Sequence, residues 1–256
     1  MGQGQSRKEP FAIERPPLTG QSALDALRMA ETLDGYRARV EQSYSNQQAR
    51  ANQLYMPSRY TVPREIPLSQ EWPNGQVIWM DPTADGGLPH TRPPYYICLP
   101  MNFPDAHLQE TLLHERVHVS QRFYAKKWQE IFAKAWNMTP WSGNLPSEFA
   151  PRMRLNPDLL NIPMYIWKHQ WVVFCQFKHT KPSSLTDTEL VWWNVDTQTL
   201  HRDAPAEWIS FFGQIQSGEH PYELAAYYLA DKTITSPAAT ALRNHVTELP
   251  RNEPFN

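Results

Sequence analysis

The chain has 256 residues, 41% of them apolar and 20% charged, with a net charge of -2. That length carries one large core or a core with appendages, and the near-neutral charge provides no basic face for nucleic acid. With no apolar stretch of membrane-spanning length and no secretory signal to read, the expected compartment is the reducing cytoplasm.

In chain order, residues 1–20 read as a flexible polar arm rich in Gly, Gln and Pro. Ser22 to Leu54 is predicted as one long helix, with Leu24, Leu27, Leu33, Val40, Tyr44 and Leu54 as a sparse apolar stripe. Ten prolines fall between Pro57 and Pro104, so that segment is predicted to be extended and irregular. Strands are expected at Gln76–Met80 and Tyr95–Leu99, with a turn at Asp85-Gly86-Gly87. A helix is predicted from Asp105 to about Met138, stopped by Pro140, followed by loop over 139–162. Aromatic and β-branched runs predict antiparallel strands at Met164–Trp167, Trp171–Phe177 and Leu190–Val195, with turns at Lys168-His169-Gln170 and Asp196-Thr197-Gln198 and a return through Thr199-Leu200-His201. Helices at Ala206–Ile215, Pro221–Ile234 and Ala238–Glu248 complete an α+β pattern, with His220 or Ser217 as the cap before Pro221. Ten Trp and eleven Tyr suit a wide aromatic core. Cys98 and Cys175 lie in apolar runs and read as free thiols.

The chemistry is concentrated in His114-Glu115-Arg116-Val117-His118. On a helix, positions i and i+4 share a face, so His114 and His118 can put two imidazole nitrogens on one metal ion. Glu115, about a third of a turn away, can reach a metal-bound water without being a ligand. A zinc hydrolase site keeps three protein ligands and an open position, so a third ligand must come from elsewhere. An immediate third histidine is absent, because Tyr124 stands at the spacing where one would fall. Glu223 in His220-Pro221-Tyr222-Glu223-Leu224-Ala225-Ala226-Tyr227 is the leading candidate, with Ala226 small enough for close helix approach. Its rivals are His220, Glu189, His179 and Glu219.

These residues resemble the zincin metallopeptidases of the Glu-zincin branch, in which an HExxH helix is followed by a second helix carrying a ligand Glu. The likeness covers Thr111–Gln121 and Pro221–Ala230. It implies zinc on His114, His118 and Glu223, Glu115 as general base, and a peptide or protein substrate. His220, Tyr227 and Arg154 are candidates to stabilise the reacting oxygen, and His220 is the catalytic choice among them. Tyr227 stands where ExxxD members of that branch carry an Asp, for which Asp231 and Asp187 are possible substitutes. The strand before the motif helix would offer an edge to an extended peptide, and the sheet between His118 and Glu223 would be an insertion. The segment HERVHVSQRF, with Arg154-Leu155-Asn156-Pro157-Asp158, also resembles HExxH proteins of large eukaryotic DNA viruses. The domain reading is then an arm at 1–20, a helix at 21–56 and a zincin-like metal-binding domain at 57–256.

Met1-Gly2-Gln3-Gly4-Gln5-Ser6 has the N-myristoylation form, with Gly2 as acceptor and Arg7 and Lys8 following. That predicts membrane contact through an acyl chain, at a cytoplasmic membrane face or in a virion of a eukaryotic host. The alternative function for the same residues is a zincin-fold structural or assembly protein without peptidase activity, attached through that acyl group.

Overall fold

The structure, a computed structural model, describes residues 15–214 and 218–249; Gly2, most of the predicted arm, Ile215 and Ser217 lie outside the described residues. The fold is α+β. Three helices, α1 (Gly20–Asp34), α2 (Tyr36–Gln42) and α3 (Tyr44–Ala49), replace the single helix predicted over Ser22–Leu54. Gly35 ends α1 in the left-handed region at φ 61°, ψ 27°, and its N–H caps Glu31 O. Glycine enters that region without a Cβ penalty, which makes it a favoured residue just past a helix. Ser43, in extended conformation, separates α2 from α3.

β1 (Gln76–Met80), β2 (His90–Arg92) and β3 (Tyr96–Pro100) form a sheet in the order β1-β3-β2, with β1 parallel and β2 antiparallel to β3. Side chains alternate across it. Ile78, Met80 and Cys98 meet Ala23, Ala26, Leu27 and Ala30 of α1. Val77, Trp79, Ile97 and Leu99 meet Leu108, Leu112 and Val119 of α4 (Asp105–Phe123). The strand ending at Leu99 in the sequence reading is therefore the central one, and it offers no edge to a peptide. The outer strands are covered as well. Thr91 of β2 gives its N–H to Asp158 Oδ1 at 2.7 Å, and its carbonyl accepts from Arg122 Nη2 at 3.1 Å. On β1, Val77 O and Trp79 O accept from Leu18 and Ser58 N–H.

The predicted helix to Met138 is two helices, α4 and α5 (Ala125–Trp136), which meet at Tyr124 with φ -114°, ψ 34°. No Pro or Gly announces this turn. It delivers Trp128, Phe132 and Trp136 into a core shared with Tyr165, Trp167, Phe212, Tyr222 and Tyr228.

A five-stranded antiparallel meander follows: β4 (Met138–Pro140), β5 (Tyr165–Trp167), β6 (Trp171–Phe177), β7 (Thr188–Asn194) and β8 (Thr199–His201). β4 lies where helix end and loop were expected. Pro140 is tolerated there because β4 is an outer strand, where a missing N–H removes no ladder bond. The turn at Lys168-His169 forms as predicted, with both residues at positive φ. α6 (Ala206–Phe212), α7 (Pro221–Ala230) and α8 (Pro237–His245) are shorter than predicted. α7 stops before Ile234 because Asp231 turns the chain, accepting from Thr233 N and Oγ1. Both cysteines are free, Cys98 buried and Cys175 half-buried. No helix among the described residues is long and apolar enough to cross a membrane.

Candidate metal centre

α4 and α7 pack side by side, with Ala225 and Ala226 buried in the middle of the second helix. His114, His118 and Gln121 follow i, i+4, i+7 spacing and share one face of α4. Glu223 lies in the first turn of α7, which begins at Pro221. The ligand atoms converge: His114 Nε2 and His118 Nε2 are 3.1 Å apart, and Glu223 Oε2 lies 3.5 Å from the first and 3.6 Å from the second. Ligands on a tetrahedral zinc with bonds of about 2.0–2.1 Å would be separated by about 3.3–3.4 Å. The spacing and chemistry of the three residues therefore fit a zinc-sized cation. Among the described residues they form the one such His/Cys/carboxylate group.

Neighbouring polar groups orient two of the three residues. His118 Nδ1–H donates to Gln121 Oε1 at 2.8 Å, and Gln121 Nε2 donates to Tyr222 O at 2.9 Å. That contact leaves the Nε2 lone pair of His118 directed at the cluster. Asn156 Nδ2 donates to Glu223 Oε1 at 2.7 Å and to Glu219 Oε1 at 2.9 Å. Tyr227, one turn beyond Glu223, stacks edge-on against the His114 ring at 4.6 Å. Burial opposes charge on His118, but Glu223 and then Asp158 outweigh it and push its pKa up to about 10. Glu223 is held well below the usual carboxylate range, against its burial, by His118 and His114. Both shifts have one cause, the pairing of the buried Glu223 carboxylate with the imidazoles it faces.

Glu115 falls on the apolar stripe of α4, in register with Leu108, Leu112 and Val119, and is 3% exposed. Burial, reinforced by Asp158, raises its pKa well above the usual carboxylate range. Its Oε2 has no hydrogen-bond partner among the described residues. His114, Glu115, Glu223 and Tyr227 line a cavity of about 1030 Å³, together with Arg154, Asn156 and Asp158 and the β6/β7 side chains Cys175, Thr188, Leu190 and Trp192.

His220 is not brought to this cavity. It caps α7, its Nδ1 accepting from Tyr222 N–H at 3.2 Å and its Nε2–H donating to Pro163 O at 3.0 Å. With both nitrogens occupied and burial pushing its pKa down to about 4, it has no donor for a reacting oxygen. Asp231 caps the far end of α7 and Asp187 lies in the turn before β7, so neither serves the ligands. Of the rival ligands, Glu219 hydrogen-bonds Asn156 and Arg154, Glu189 pairs with Arg202, and His179 is exposed. Gln121, Asn156 and Asp158 escape sequence reasoning. Gln121 alone carried a signal, one turn beyond His118 on the ligand face. No protein family, curated protein or solved structure matches the chain.

Proposed function

We propose that this chain is a zinc-dependent peptide-bond hydrolase of the zincin kind, with His114, His118 and Glu223 as ligands and Glu115 as general base. The observation that carries the reading is the convergence of three ligand atoms at tetrahedral-edge distances, with the tautomer of His118 set by Gln121. Bound zinc would act as a Lewis acid on a peptide carbonyl and lower the pKa of a water molecule.

The protein's own part is proton movement and orientation. Glu115 takes a proton from the attacking water as the water oxygen bonds to the carbonyl carbon. It returns that proton to the nitrogen as the C–N bond breaks, so one water is added across one amide and no other reagent is consumed. A buried carboxyl with a raised pKa is a stronger base than an exposed one, which suits it to receive the proton it later returns. Gln121 and Asn156 keep the ligands aimed, and the apolar packing of Leu112 and Val119 keeps water from the back of the helix.

Metal analysis of protein purified without chelator tests the reading, with about one zinc per chain expected. Glu115→Gln is expected to keep the metal and lower hydrolysis about 10²–10⁴-fold. Stoichiometric zinc in a His114→Ala/His118→Ala double variant overturns the site. The Gly2 signal supports attachment to a membrane or virion surface in a eukaryotic host, and intact-mass analysis of protein made in eukaryotic cells reads the acyl group directly.

A further inference from the structure

Arg154 lies in the cavity wall beside the candidate metal centre. Its side chain is four-fifths covered, with 20% relative exposure. Nη2 donates to Glu219 Oε1 at 3.0 Å, while Nε is buried without a hydrogen-bond partner among the described residues. A guanidinium keeps its charge at any working pH and presents a planar fork that matches a carboxylate. Arg154 is therefore a mostly buried cation paired with one carboxylate, Glu219, and its Nε–H has no acceptor among the described residues.

Its position relative to the ligands is constrained. Contacts of 3.0, 2.9 and 2.7 Å run in series from Arg154 Nη2 through Glu219 and Asn156 to Glu223 Oε1. An extended residue advances about 3.3–3.6 Å, so the guanidinium lies within about two to three residue lengths of the metal ligand. Leu190 and Trp192, on one face of β7, add an apolar surface to the same cavity. The outward N–H and C=O of Thr91 are already engaged, which removes the nearby backbone edge that a long polypeptide would pair with.

Resting on the hydrolase reading above, we propose that the substrates are peptides held by their free C-terminal carboxylate. Arg154 receives that carboxylate, the terminal side chain rests on Leu190 and Trp192, and the bond cut lies one or two residues from the C-terminus. Water adds across that amide, releasing a single amino acid or a dipeptide and leaving a shortened chain with a new carboxylate.

The test is calorimetric binding to the zinc-loaded full chain, which needs no turnover. The probes are mercaptoacetyl-phenylalanine and mercaptoacetyl-alanyl-phenylalanine, each compared with its C-terminal amide. The thiol addresses the metal, and acid and amide differ only at the terminus. At least one acid is expected to bind tenfold or more tightly than its amide. Arg154→Gln should bring that ratio close to one, and Arg154→Lys should fall between. Equal binding of acid and amide in both pairs overturns the carboxylate site and leaves the metal reading standing. An acid preference that survives Arg154→Gln also overturns it, since the preference then comes from the cation. Failure of every thiol to bind overturns the metal reading and this proposal together. The wild-type ratio decides the matter against the proposal even if the variants do not fold.

Discussion

Two buried clusters of charge lie on either side of β2, and they differ in how completely their members satisfy one another. Arg92 points toward the N-terminal helices. Its Nε and Nη2 grip Asp34 at 2.7 Å each, and it also contacts Glu31 and the Tyr55 hydroxyl. Asp34 additionally accepts from Tyr36 N–H, so donors and acceptors match. Across the strand, next to Thr91, lies the HExxH side: two imidazole nitrogens 3.1 Å apart, a carboxylate facing both, and Glu115 with an unpartnered oxygen. The first cluster is complete as protein and reads as structure. The second sets two imidazole nitrogens and a carboxylate facing one another, a donor set that suits a cation. Burial of charge alone does not distinguish them; the balance of donors and acceptors does.

The largest expected effect breaks the second cluster and spares the first. On the zinc reading, added zinc should raise the Tm of the wild type, and replacing both His114 and His118 by Ala should abolish zinc binding and that rise, as differential scanning calorimetry with and without metal will read. The converse variant, Arg92→Met, strands Asp34 and Glu31 without a cation. It should cost about 3–5 kcal/mol in denaturant unfolding of the metal-free protein while leaving one zinc per chain in the folded state. If Arg92→Met also empties the metal site, the clusters are not separable as described.

Smaller effects sharpen the picture. Glu223→Ala and Glu223→Gln should each weaken zinc by at least tenfold in chelator competition, whereas His220→Ala should leave affinity nearly intact because its nitrogens are spent on Tyr222 and Pro163. The reverse order would move the third ligand to His220. The smallest change is a gain. The folded pKa of Glu115 is raised, so its contribution to stability is complete below the unfolded carboxylate value near 4.3 and is lost as pH rises toward the folded value. Metal-free Glu115→Gln should therefore be more stable than wild type at pH 7, with the difference shrinking toward pH 4. A difference that grows on acidification would contradict the assignment of Glu115 as a buried, charge-averse carboxyl.

Local periodicity in the sequence was enough for the strands Gln76–Met80 and Trp171–Phe177, whose bounds match, and for the turn at Lys168-His169. It was also enough for the helix that carries both histidines, because i, i+4 geometry is a property of the helix itself. Where helices break was less legible. The turn at Tyr124 and the end of α7 at Asp231 come from packing α5 into the aromatic core and from one side-chain turn, not from composition. Short outer elements such as β2 and β4 were missed, since three residues carry too little pattern to stand apart from the prolines around them. The central position of β3, which closes off the predicted peptide edge, depends on strand pairings between distant segments. The meeting of Glu223 with the two histidines has the same origin. The chain supplied the candidate residue and the small Ala226 near it, but only the packing of α7 on α4, with Gln121 bonded across it to Tyr222 O and Asn156 bonded to Glu223, decided which carboxylate arrives at the imidazoles. His220, next to the same helix start, was turned into a cap instead, because the Tyr222 N–H and the Pro163 carbonyl occupy its two nitrogens.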